Sequence, residues 1–157
     1  MNSKIRNIFL TFFGAGLSPI APGTVGTLAA LPFGYALLYY FGIETLALFT
    51  ILITFVGIKE TDKYEAAGGE HDNGKIVIDE VVGVWLTLCM VQSIEPVWLQ
   101  ATLAFATFRL FDIWKPSVIG RIDRNMSGGK GVMLDDIAAG LFAGILSLLL
   151  YKVIFLF

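Results

Sequence analysis

The sequence predicts an all-α fold, a compact bundle of about five membrane-embedded helices, and three observations carry that expectation. Hydrophobic residues make up 56% of the 157 and charged residues only 15%, with a mean hydropathy of +0.76. Soluble domains carry roughly a quarter charged residues, so the composition points to a membrane protein. Five apolar runs follow one another along the chain. The basic residues fall in alternate connections between those runs, as the positive-inside rule requires of five spans. A soluble all-helical bundle is the competing fold, because only the first and last runs approach the roughly 20 residues that cross a bilayer. The length fits one domain over residues 1–157.

Taken in order, Lys4 and Arg6 precede the short apolar stretch from Ile8 to Phe13. That resembles the start of a signal peptide, but no small-x-small cleavage site follows, so the segment is read as retained. Ser18 to Thr27 contains two prolines and two glycines and reads as a loop, with Thr24 or Thr27 as candidate caps for the helix that runs on to Phe41. A loop of this kind before a helix can present backbone N–H groups to an anion, although the Gly-Lys-Ser/Thr ending of a P-loop is missing. Thr45 to Ile58 is the second run, and the polar stretch from Lys59 to Lys75 follows it. Val81 to Val91, Val97 to Phe111 and Ile137 to Phe157 complete the set.

Lys59, Lys63 and Lys75 share one connection, and Lys115, Arg121, Arg124 and Lys130 share another. The connections around Gly42-Ile43-Glu44 and Ser93-Ile94-Glu95-Pro96 have no basic residue. This places the N-terminus in the cytoplasm and the C-terminus outside, with Lys152 the exception, near enough to the outer surface to snorkel. A net charge of −2 and a pI near 5.3 exclude nucleic acid as an expected partner. Cys89 is the only cysteine, which rules out an intramolecular disulfide or a cysteine metal cluster.

The polar residues that remain are concentrated. Arg109, Asp112 and Lys115 recur at three-residue spacing, so on a helix they share one broad face, and Pro116 predicts the helix end at Lys115. Asp79-Glu80 opens the third run and Asp135-Asp136 the fifth, after the glycine-rich segment from Ser127 to Leu134. Runs three and five leave the cytoplasm where run four returns to it. The topology therefore brings all five carboxylates to one membrane face, beside the Pro/Gly/Thr loop. Capping by Asp79 or Asp135 explains one acid per helix, not two adjacent acids twice.

Five carboxylates in a small volume repel unless protonated or shared with cations. Oxygen ligands without a His or Cys cluster suit Mg²⁺, so Asp79, Glu80, Asp112, Asp135 and Asp136 are candidate metal ligands. Arg109 and Lys115 beside them suit a phosphate group. Acids for a metal with bases for an anion read as metal-assisted phosphoryl chemistry at a membrane surface. His71, the only histidine, lies in a polar loop and reads as solvated. A cation-coupled transporter is the rival from another class, and its acids are expected at mid-span, not at helix ends.

These residues form ordered blocks: Ser18-Pro19 through Gly26 with Pro32, then His71-Asp72, then Ile76-Val77-x-Asp79-Glu80-x-x-Gly83. Further blocks are Phe108-Arg109-x-x-Asp112-x-x-Lys115-Pro116, Asp123-Arg124-Asn125, and Gly128-Gly129-x-Gly131-x-Met133-x-Asp135-Asp136-x-x-Ala139-Gly140. Over about residues 14–144 the chain resembles the phosphatidylglycerophosphatase A family. It departs from the family pattern after Lys115-Pro116, where Ser117-Val118 stands in place of Trp-Pro. The resemblance implies a Mg²⁺-dependent phosphatase of the bacterial inner membrane, with its site at the cytoplasmic face. Its substrate would be the membrane lipid phosphatidylglycerophosphate and its product phosphatidylglycerol. Catalytic roles fall to Asp79, Glu80, Arg109, Asp112, Lys115, Asp135 and Asp136, and substrate contacts to Arg109, Lys115, Thr24 and Arg124. Another lipid or a soluble phosphomonoester is the alternative substrate. Which acid binds metal and which acts as base stays open, as does the choice between a covalent intermediate and direct attack by water.

Overall fold

A computed structural model describes residues 1–70 and 73–156. Among these there are six α-helices and no strand: α1 (Ser3–Leu10), α2 (Pro22–Ala66), α3 (Ile78–Val91), α4 (Val97–Trp114), α5 (Val118–Asn125) and α6 (Gly128–Leu156), with a 3₁₀ turn at Ala15–Leu17. His71 and Asp72, part of one of the family blocks, lie outside the described residues.

The first two apolar runs are one element broken in the middle. Gly42 sits at φ 83°, ψ 173°, outside helical geometry, and divides α2 into two arms. A positive φ of this kind carries little penalty only for glycine. The first arm packs with Gly26 on Val77 and Gly34 on Trp85 and Leu88, so it runs in the same direction as α3. In the second arm Gly57 meets Ile78, while Thr50 and Thr54 line a groove with Val82 and Leu86, so this arm runs back. Pro32 is accommodated inside the first arm.

The remaining directions follow from pairwise contacts. A Cβ on Gly140 would fall on the carbonyl of Gly83, and one on Gly144 would meet Met90, so α3 and α6 are parallel and their backbones nearly touch. Phe111 packs on Phe142 at 5.8 Å between ring centroids, and the Thr107 and Ser147 hydroxyls lie 2.8 Å apart, so α4 runs against α6. Five rods of alternating direction result, and the sequence expectation of an all-helical bundle holds. The core between them is apolar, built on Leu46, Val77, Val81, Val82, Leu88, Phe108, Ile119 and Met133.

Two helices, Pro22–Ala66 and Gly128–Phe155, are long and apolar enough to cross a membrane. The outer surface fits that solvent. Phe33, Tyr39, Tyr40, Phe41, Leu48, Ile51, Leu52 and Phe55 are exposed on α2, and Leu141, Ile145, Leu149 and Val153 form a continuous stripe on α6. Water-soluble proteins do not leave apolar patches of that extent uncovered.

Three local expectations are corrected. Residues Ser18–Thr27 are not all loop, because α2 begins at Pro22, where proline's missing N–H costs nothing. Neither Thr24 nor Thr27 caps it. Ala21 occupies the N-cap without a side-chain bond, and the Thr27 hydroxyl donates back to the Gly23 carbonyl at 2.8 Å. The segment Ser127–Leu134 is likewise helix from Gly128 onward, so Asp135-Asp136 stand about two turns inside α6 and do not open it. The start of α6 is capped from a distance, by Asp62 of α2, whose Oδ1 accepts the Gly129 N–H at 2.7 Å.

Candidate active site

Starts of the first α2 arm, α3 and α6 meet the end of α4 at one end of the bundle, and the charged residues collect there. Asp79 and Glu80 lie in the first turn of α3, whose N-cap is Val77, so Asp79 is not a cap. Asp135 and Asp136 reach the same level because α6 begins two turns earlier. Both are buried, at 4% and 3% exposure. One oxygen each from Asp79, Glu80 and Asp136 fall within 4.8 Å of one another. Asp112 lies against Asp136, and Asp135 is close enough to Asp79 for their charges to interact. The five acids expected at one face therefore lie together at this end of the bundle.

Two cations border this cluster in different ways. Arg109 pairs with Asp112 on its own helix and reaches Glu80 across to α3 at 3.8 Å. A Cβ on Gly23 would overlap the Glu80 carboxylate and crowd the Arg109 guanidinium, so a larger residue there would displace this pair. Lys115 is the C-cap of α4, the helix end that Pro116 predicts, but its φ of 45° is left-handed and turns it off the helical face of Arg109 and Asp112. Its Nζ donates to Asp123 on α5 and to Asp135 Oδ2 at 2.7 Å on α6. Burial works against its charge, yet those two carboxylates hold the Lys115 pKa above the usual lysine value.

The cluster has the chemistry of a divalent-cation site. Asp79 Oδ1, Glu80 Oε2, Asp135 Oδ1 and Asp136 Oδ2 are buried without a hydrogen-bond partner, as is Arg109 Nε. Unsatisfied buried carboxylate oxygens are costly, and four in one place call for a positive partner. The donor set is oxygen only. Mg²⁺ takes such oxygens at about 2.1 Å, and one oxygen each from Asp79, Glu80 and Asp136 lies within 4.8 Å of the others. The residues fit the ion.

The family model described as phosphatidylglycerophosphatase A matches residues 8–151. This chain belongs to the phosphatidylglycerophosphatase A family. It is 44% identical over 135 residues to phosphatidylglycerophosphatase A of Escherichia coli strain K12, covering 85% of this chain and 77% of that protein. The phosphatidylglycerophosphatase A of Haemophilus influenzae is 42% identical over 131 residues, with 83% and 79% covered. A protein of Bacteroides thetaiotaomicron, proposed to be a phosphatidylinositol-3-phosphatase, is 41% identical over 140 residues, with 87% of each chain covered. No solved structure matches the chain. Membership in the phosphatidylglycerophosphatase A family makes the chain a phosphoric monoester hydrolase and removes the transporter reading.

Two residues expected to touch substrate lie at the edge of the constellation. Thr24 is half-buried in the first turn of α2, next to Gly23. Arg124 is exposed on α5, folded against Gly120, and makes no contact with the carboxylates. Sequence reasoning passed over Asp123 and Gly23. Asp123 stood inside a family block, but its link to Lys115 spans two helices joined by a turn, which spacing alone does not reveal. Gly23 matters for what it lacks, and a missing side chain gives no motif beyond the Pro-Gly-Thr sequence itself.

Proposed function

We propose that residues 1–157, acting as one domain, form a Mg²⁺-dependent phosphatase that removes the terminal phosphate of phosphatidylglycerophosphate to leave phosphatidylglycerol. The observation that carries this reading is the group of unpartnered, buried carboxylate oxygens next to Arg109 and Lys115. Family membership and the names of the relatives from E. coli and H. influenzae support the substrate.

Asp79, Glu80 and Asp136 would hold the ion, with Asp135 and Asp112 completing or orienting the set. A bound Mg²⁺ would supply Lewis-acid polarisation of the phosphoryl group. Arg109 offers its unpartnered Nε–H to a phosphoryl oxygen. Lys115 has three N–H donors and spends two on Asp123 and Asp135, which leaves one for the phosphate. These charges stabilise the phosphoryl oxygens as the bond to the glycerol oxygen breaks. One carboxylate not engaged with the ion takes the proton of the attacking water. The first turn of α2 lies against Glu80 and Arg109 at Gly23, and its backbone N–H groups would add partial positive charge there. The protein would sit in the bacterial cytoplasmic membrane as a multi-pass protein, with this end at the cytoplasmic face.

The Bacteroides relative favours a second reading, in which the phosphomonoester sits on the inositol headgroup of a phospholipid. Purified protein in detergent, given each lipid with Mg²⁺, separates the two by the phosphate released. We expect turnover of phosphatidylglycerophosphate that stops in excess EDTA and returns with added Mg²⁺. Full turnover after tightly held metal has been removed would sink the metal-dependent mechanism.

A further inference from the structure

Asp123 has no place in the reaction as described, yet among the described residues it is one of the two side chains that Lys115 binds. Lys115 stands at the junction of three helices. Its backbone ends α4, its Nζ reaches Asp123 on α5, and the same Nζ reaches Asp135 on α6. Asp135 is buried and gives one oxygen to Lys115, while the other, Oδ1, has no hydrogen-bond partner and lies beside the candidate cation site of Asp79, Glu80 and Asp136. Asp123 is more open to solvent, at 34% side-chain exposure against 6% for Asp135. The ammonium is thus shared between an outer and an inner carboxylate.

We propose that Asp123 is a positioning residue for the Lys115–Asp135 pair: it draws the Lys115 ammonium outward and keeps Asp135 available to a divalent cation. This rests on the reading that Asp135 borders the metal site. Without the charge on Asp123, Lys115 settles wholly on Asp135 and competes with the cation for it. Without Lys115, the same inner carboxylate is released. The two substitutions therefore move cation affinity in opposite directions, which no loss of packing can do.

The test is a set of variants in which Mn²⁺ binding is measured by calorimetry on purified protein in detergent without lipid substrate, alongside the Mg²⁺ dependence of turnover. Asp123→Asn should weaken Mn²⁺ by about tenfold or more, the size typical of groups that orient metal ligands. The Mg²⁺ needed for half-maximal turnover should rise by the same factor, while kcat at saturating Mg²⁺ stays within about threefold. Asp123→Glu should restore most of the affinity. Lys115→Met should tighten Mn²⁺, and Asp123→Asn added to Lys115→Met should then cost almost nothing. Equal losses from Asp123→Asn with and without Lys115 would overturn the proposal, as would a loss of affinity in Lys115→Met. Should Asp123→Asn fail to fold, the sign of the Lys115→Met effect decides alone. Binding is read without substrate, so the outcome is separate from substrate identity. Wild type that binds Mn²⁺ but cleaves no lipid phosphate overturns the proposed function only. Wild type that binds no divalent cation overturns both.

Discussion

Asp79 is the residue at which catalytic and structural roles divide most cleanly. It follows the N-cap of α3 by two positions, makes no capping bond, and leaves Oδ1 buried and unpartnered. Neutralising it to the amide therefore removes repulsion from its neighbours, Glu80 first among them, and keeps an oxygen that can still accept from the helix start. Asp79→Asn should leave the metal-free melting temperature unchanged or slightly higher, while the single-turnover rate falls by about two orders of magnitude or more as the ion loses its place. A residue that secured the helix would instead cost about 0.5–2 kcal/mol on truncation and leave turnover intact. Asp79→Asn protein with near-normal turnover would show that the acids are not the reacting centre. At this scale the sequence was informative because carboxylates among apolar residues have few reasons to be there. It was silent on Lys115, whose left-handed backbone moves it from the Arg109 face to the Asp123–Asp135 bridge.

The five apolar runs located all five rods, but glycine misled the boundaries between elements. Gly23, Gly26, Gly129 and Gly131 read as loop because glycine breaks isolated helices. Here they are helical, and each lies where another chain segment comes too close for a side chain. Gly26 meets Val77, Gly129 meets the Ile58 carbonyl, and Gly131 meets the Met126 carbonyl. Where helices pack without a hydrophobic driving force between them, small residues allow the close approach that holds them. The α3–α6 contact depends on this most. A Cβ on Gly83 would strike the Phe108 ring and the Asp136 carbonyl, and Gly140 faces it from α6. Gly83→Ala should lower stability in detergent by about 1–3 kcal/mol through overpacking. Because the strain falls on the residue carrying a candidate ligand, turnover should drop as well. Melting unchanged from wild type would mean that α3 and α6 are not packed as closely as the glycines indicate.

The whole molecule is polar at one end and apolar along its sides, and its dimensions say how it would sit in a bilayer. Trp98 and Trp114 are 67% and 69% exposed near the two ends of α4. Sixteen residues of helix separate them by about 24 Å, somewhat less than the roughly 30 Å of a hydrocarbon core. Exposed tryptophans favour the membrane–water boundary, so in a bilayer Trp114 would put Asp112 and the carboxylates at the interface. A phosphomonoester on a lipid headgroup lies at that level, whereas a mid-span site would demand that it be dragged into hydrocarbon. Lys59, Lys63, Lys75, Lys115, Arg121, Arg124 and Lys130 gather at this end, whereas the opposite end has Glu44 and Glu95 and, of the basic residues, Lys152. That asymmetry predicts the orientation as well as the depth. In a protein whose Cys89 has been replaced by alanine, a membrane-impermeant thiol reagent applied to intact cells should label Ser93→Cys and fail to label Asn73→Cys or Ser117→Cys. Permeabilised cells should label all three. The reverse pattern in intact cells would turn the site outward, and the proposed orientation would fall with it.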